Sequence, residues 1–183
     1  MLIGAALLTG GTAARAQTLG EKERFTAIAI VNNIRASGAG IVQIDITRWS
    51  TAAERAALLN VLKKDGAEKL LDALQDTRPV GTIKTPDSLG YDLHYAHQTP
   101  LPDGGRRIVI ATDRPISFWE ATRRPRTIDY PFTVIQMEIN RDGRGKGTMS
   151  YATKIIPAGD TIVLENFANQ PVMLTEIKAE SHT

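Results

Sequence analysis

Residues Tyr130–Ala179 read YPFTVIQMEINRDGRGKGTMSYATKIIPAGDTIVLENFANQPVMLTEIKA. Apolar side chains alternate through Phe132 and Val134, then through Ile135, Met137 and Ile139, and the pattern stops at Asn140-Arg-Asp-Gly-Arg-Gly145. It resumes through Met149, Tyr151 and Ile155, stops at Pro157-Ala-Gly-Asp160, resumes over Thr161–Glu165, and closes with Val172–Lys178. Four β-rich runs separated by turn chemistry predict an antiparallel meander. Such a sheet has an apolar face to hide, so it needs either a second layer or its own closure.

Upstream of this stretch the same grammar continues. Tyr91–Thr99 pairs naturally with Arg106–Thr112 across Pro100-Leu-Pro-Asp-Gly-Gly105. Arg78–Lys84 reads as a short strand whose Pro79 suits a strand start, and Pro86–Gly90 as a turn. Glu23–Asn33 is apolar on both faces, with Phe25, Ala27, Ala29 and Val31 on one and Ile28 and Ile30 on the other, which predicts a central or well-covered strand. Ala36-Ser-Gly-Ala-Gly40 is expected as a turn, before a one-sided strand carrying Val42, Ile44 and Ile46.

The helical signal lies between these strands. Thr51 and Glu54 have capping-box spacing, in which hydroxyl and carboxylate satisfy the free N–H groups of a first turn. Leu58, Leu59 and Leu62 follow at one-face spacing up to Gly66, which is suited to close a helix; Ala67, Leu70, Leu71 and Leu74 then predict a second, short one. The polar face of this pair mixes charges and lacks a row of Arg, Lys, Asn or Gln that could read base edges, so it is expected to pack on the sheet, not on DNA. The fold class expected is mainly β (α+β): an antiparallel, strongly curved or barrel-like meander of about nine strands with an inserted helix pair. A two-sheet sandwich, or an open sheet backed by helices, is the alternative.

Leu2-Ile-Gly-Ala-Ala-Leu-Leu8, followed by small residues and Ala14-Arg-Ala16, resembles a secretory signal peptide with its A-x-A cleavage pattern, although no basic segment precedes it. Residues 17–183 are then expected to form a single β-rich domain in the periplasm or outside the cell. The chain has no cysteine, which excludes disulfides, thiolate metal sites and thiol nucleophiles together. A formal net charge of +2 gives no reason to invoke nucleic acid or an anionic membrane. Outside the N-terminal run, no segment approaches the ~20 apolar residues that a membrane-crossing helix needs.

Motifs with chemical meaning are few. His94 and His97, three apart on a strand, fall on opposite faces and cannot share a metal; Asp92 and His94, two apart, share a face as a carboxylate–imidazole unit or as solvated surface. Gly143-Arg-Gly-Lys-Gly-Thr148 fails the phosphate-loop spacing, because position 140 is Asn and Gly147 stands where Ser or Thr belongs. Asn140-x-Asp142-Gly143 lacks the downstream glutamate of a calcium loop, that place falling on Tyr151. No cofactor or metal is expected. The best binding candidate is the cluster Arg114, Arg123, Arg124 and Arg126 beside Trp119, which could hold an anion or pair with Asp113, Glu120 and Asp129. An apolar pocket lined by Tyr91, Tyr95, Trp119 and Phe132 would complete such a site.

The order of two strands, a helix pair and a long antiparallel run is similar to the general plan of small intracellular lipid-binding barrels. The resemblance implies architecture alone, and the G-x-W signature of lipocalins is missing from Ile30–Arg35. The function expected is that of an exported, non-enzymatic binding domain for a small, partly apolar or anionic ligand or a protein partner. The alternatives are a subunit of a cell-envelope assembly, or an enzyme with a dispersed set such as Asp92, His94 and Arg114.

Overall fold

The computed structural model describes residues 21–33, 36–86, 88–114, 116, 131–158, 161–166 and 170–181. The expected signal peptide therefore lies outside the described residues. The strands are β1 (Glu23–Asn33), β2 (Ala36–Ile46), β3 (Gly81–Lys84), β4 (Tyr91–Leu93), β5 (Tyr95–Pro100), β6 (Arg106–Thr112), β7 (Phe132–Ile139), β8 (Arg144–Ala158), β9 (Thr161–Asn166) and β10 (Val172–Ser181), with a helix α1 (Ala52–Gln75) after β2. All pairings are antiparallel. They run β4-β3-β2-β1-β10-β8-β7-β6-β5, with β9 beside β8, and the sheet curls into a half-barrel.

Three local expectations are corrected. The small residues Ala36–Gly40 are not a turn but the first half of β2, in continuous register with Asn33–Ala29. Backbone ladder bonds need no side chain, so a run of Ala, Ser and Gly extends the hairpin as well as larger residues do. The helix pair is one helix. Gly66 sits inside it at φ 83°, ψ −175°, a region open essentially to glycine alone, and the chain kinks there and continues. The last four strands are not a simple meander either. β9 and β10 both pair with β8, so β10 passes β9 and goes on to join β1.

Two apolar clusters hold the fold. The first fills the inside of the curl with Phe25, Val42, Ile44, Ile83, Ile108, Leu174 and their neighbours. The second lies outside it, where Leu58, Leu62, Leu70 and Leu74 of α1 pack on Ala111, Phe132, Val134 and Ile155 of β6, β7 and β8. The helix starts as its sequence predicts: Thr51 Oγ1 accepts from the Glu54 N–H at 3.1 Å, and Glu54 Oε2 accepts from the Thr51 N–H at 2.7 Å. Arg48 donates to both oxygens of the same Glu54 at 3.0 Å, tying the cap to the end of β2.

One ion pair crosses the inside of the curl. Arg106 on β6 donates through Nη1 and Nη2 to the two carboxylate oxygens of Glu23 on β1, each at 2.6 Å, and through Nη1 to Gln98 at 2.7 Å. The guanidinium also lies 5.8 Å from the centre of the Phe25 ring. Both partners are buried, and β10, β8 and β7 separate their strands along the sheet. Arg106→Met should cost about 3–5 kcal/mol in urea unfolding, because it strands the Glu23 carboxylate. Replacing both, as Glu23→Leu with Arg106→Met, should recover most of that loss; equal losses in the single and double variants would show that the pairing itself is not what matters.

Candidate functional site

The segment from Tyr91 to Pro100 supplies both ends of the sheet, β4 and β5, and His94 alone lies between them. The Leu93 carbonyl accepts from Val80 on the β3 side at 2.7 Å, while the next N–H, that of His94, donates to Ala111 of β6 at 3.0 Å. The side-chain alternation slips by one at this point. Tyr91 and Leu93 face the inner cluster, His94 is buried, Tyr95 turns to the outer cluster under α1, and Ala96 faces inward again.

That slip separates residues expected to act together. Asp92 is exposed while His94 is buried. The carboxylate that His94 meets is Asp113, with Nε2 3.6 Å from Oδ1, while Nδ1 lies 3.1 Å from the Thr77 carbonyl oxygen. Nδ1 is within hydrogen-bond reach of Thr77 and the Asp113 carboxylate stands just beyond that reach of Nε2, so the ring ties the corner to the residues that follow α1 and β6. Tyr91 and Tyr95 end on different sides of the sheet, and Phe132 is buried under α1 with Tyr95. The expected pocket is therefore not formed by its described members. Trp119, Arg123, Arg124 and Arg126 lie outside the described residues.

Arg114 is described, and it pairs with Asp113: Nε and Nη2 donate to the carboxylate at 3.1 and 3.4 Å. Hydrogen bonding to Asp113, with further attraction from Asp113, Asp92 and Tyr91, holds the Arg114 guanidinium above its ordinary pKa. Burial pulls the Asp113 carboxyl up, but the hydrogen bond and charge of Arg114, helped by His94, outweigh it and keep the carboxyl below its usual range. On the outer side, Tyr95 and His97 have ring centres 6.4 Å apart. Burial, with the charge of Arg55 on α1 adding to it, lowers the His97 pKa; burial raises that of Tyr95, with Arg55 opposing. Among the described residues no three His, Asp or Glu side chains converge as a metal-binding set.

Two open hollows mark the surface. One, of about 340 Å³, lies at the β7–β8 turn beside Leu101, Asp103, Glu138 and Arg144. The other, of about 380 Å³, lies between Glu68, Leu71 and Asp72 of α1 and the Pro131 and Lys154 side chains. Neither lies within the inner cluster.

The feature that sequence reasoning missed is on the outer face of β2, β1 and β10. Ile28 is 39% exposed, Ile30 37%, Ile41 70% and Met173 48%. Ile28 stands opposite Ile41 across β1–β2, and Ile30 opposite Met173 across β1–β10, so the four form one patch. β1 is central, as its two apolar faces predict, but its Ile28–Ile30 face is left open. The signal was in those two isoleucines; the pairing that adds Met173 to them is invisible without the strand order. No protein-family model matches the chain, and no curated protein or solved structure is significantly similar to it.

The Asp113 pair makes a prediction about pH. A carboxyl depressed in the fold contributes stability that is present above its unfolded pKa, near 3.8, and lost as pH falls through the folded value. Asp113→Asn should therefore lower stability at pH 7 by about 1.5 kcal/mol. Its deficit relative to the parent should shrink below pH 4 when unfolding is followed in urea at several pH values. A constant deficit would assign the loss to packing.

Proposed function

We propose that this chain is an exported, non-enzymatic binding domain of the periplasm or cell exterior, which meets its target through the outer face of β2, β1 and β10. The observation that carries this reading is the contiguous exposure of Ile28, Ile30, Ile41 and Met173. Single exposed apolar residues are ordinary, but a run of them across three paired strands marks an interaction surface.

The interior argues in the same direction. Phe25, Val42, Ile44, Ile83, Leu93, Ile108 and Leu174 are fully buried there, with Glu23 and Arg106 at one end, so side chains occupy the space that a lipid-binding barrel keeps for ligand. The alternative of an enzyme with a dispersed set such as Asp92, His94 and Arg114 has one point in its favour: Arg114 pairs with Asp113, which stands beside His94. The envelope-assembly alternative agrees with the patch, because a neighbour would cover it.

A dye experiment separates surface from interior binding. The protein with its natural N-terminus, recovered from the exported fraction of an expressing host, should enhance the fluorescence of 1-anilinonaphthalene-8-sulfonate under native conditions. Ile28→Asn with Ile41→Asn should remove most of the enhancement and shift the melting temperature little, as expected of surface substitutions. Enhancement that survives the double variant, or a small molecule that co-purifies in native mass spectrometry, would return the site to a cavity.

A further inference from the structure

The strand registers place five outer-face residues in one row across five neighbouring strands. Lys84 stands opposite Gln43, Gln43 opposite Thr26, Thr26 opposite Lys178, and Lys178 opposite Arg144. At the usual strand spacing the row is roughly 19 Å long. Its three cations are exposed, and Lys146, exposed as well, follows two residues after Arg144. Lys178 and Arg144 are like charges directly opposite each other, an arrangement that weakens a sheet when nothing anionic meets it.

The row borders the apolar patch. Ile28 and Ile41 lie two residues along their strands from Thr26 and Gln43, about 7 Å away, and Ile30 and Met173 lie one step further. The nearby acids leave the row positive. Asp45 is held by Arg24 and Gln43 at 2.6 Å and also attracts Lys84. Glu138 pairs with Arg107 at 2.8 Å and stands opposite Lys146, and Glu176 and Glu180 are exposed on β10, while Lys178 and Arg144 stand opposite each other.

We propose that the target of this face is an anionic lipid bilayer, an inference that rests on the outer-face reading above. A bilayer presents phosphates and apolar chains together along one plane. The isoleucines and Met173 would sit at the headgroup boundary while Lys84, Lys178, Arg144 and Lys146 reach the phosphates with their long stems. Leu89, the most exposed large apolar side chain among the described residues, stands in the β3–β4 turn next to Gly90, which lies against the Lys84 stem. Few apolar side chains and a short cationic row give reversible, salt-sensitive attachment and not insertion, and no helix of the described residues is long and apolar enough to cross.

The test is co-sedimentation of the exported protein with vesicles. Binding is expected to phosphatidylcholine vesicles containing about one-third phosphatidylglycerol, and not to phosphatidylcholine alone, with loss at ~0.5 M salt as screening shortens to a few ångströms. Lys84→Gln, Arg144→Gln and Lys178→Gln should each weaken it roughly fivefold, and Ile28→Asn with Ile41→Asn at least tenfold. Lys64→Gln, on the exposed side of α1, should change nothing. Equal binding to both vesicle types, or indifference to the three charge substitutions in protein whose circular dichroism is unchanged, would overturn the proposal. Dye binding that depends on Ile28 and Ile41 without any vesicle binding would overturn the lipid while keeping the face. A dimer in sedimentation equilibrium that Ile28→Asn dissolves would assign the face to a second copy instead.

Discussion

An antiparallel sheet has two edges, each a row of unpaired backbone donors and acceptors that must be capped or hidden. Here the two ends of the strand path are consecutive pieces of one segment, β4 and β5, and the sheet curls because that segment must serve both sides at once. The transfer happens at His94, where hydrogen bonding passes from the β3 side to β6. A one-residue slip turns every later side chain to the other face. It also leaves the residue at the slip buried, with polar atoms to satisfy. Thr77 meets its Nδ1 and carbonyl, and Asp113 stands beside its Nε2. The corner is thus a polar node inside an apolar wall, and such nodes hold only when every member has a partner.

The Glu23–Arg106 pair works at another place on the same curl. A buried ion pair contributes little net stability against a well-packed apolar substitute, since desolvation consumes most of the attraction. What it supplies is selectivity among arrangements. A bidentate guanidinium–carboxylate contact tolerates little displacement, and Gln98 adds a third oxygen. A flattened or slipped sheet would leave two buried charges unpaired. The same pair places charge inside the curl, beside the Phe25 ring of the inner cluster.

Much of this was legible from local chemistry. The Thr51–Glu54 capping box, the leucine stripe of the helix and the strand runs of the last fifty residues depend on neighbours in sequence, and those features stand as read. Expectations failed where a distant partner decides the outcome. Gly66 looked like a helix end because its conformation suits one, but Leu70 and Leu74 bury against the same outer cluster as Leu58 and Leu62, and that shared surface holds both halves across the kink. Tyr91 and Tyr95 have the spacing of one face, and only the slip at His94 parts them. Asp113 as the partner of His94 could not be read from spacing, nor could a row made of Lys84, Lys178 and Arg144, whose members come from three separate strands.

The helix also explains why the outer patch stands out. With side chains a helix is roughly 10–12 Å across, little more than two strand spacings, so one helix can shield only part of a curled sheet. α1 covers β6, β7 and β8 at Ala111, Val134 and Ile155. Away from it the chain faces water with polar residues: Arg107, Gln136 and Glu138 are exposed on β6 and β7. The same rule would place polar side chains at 28, 30, 41 and 173, on strands the helix does not reach. Isoleucine and methionine stand there instead. Since the fold gains nothing from leaving them in water, their presence is best explained by a surface that covers them after folding is complete.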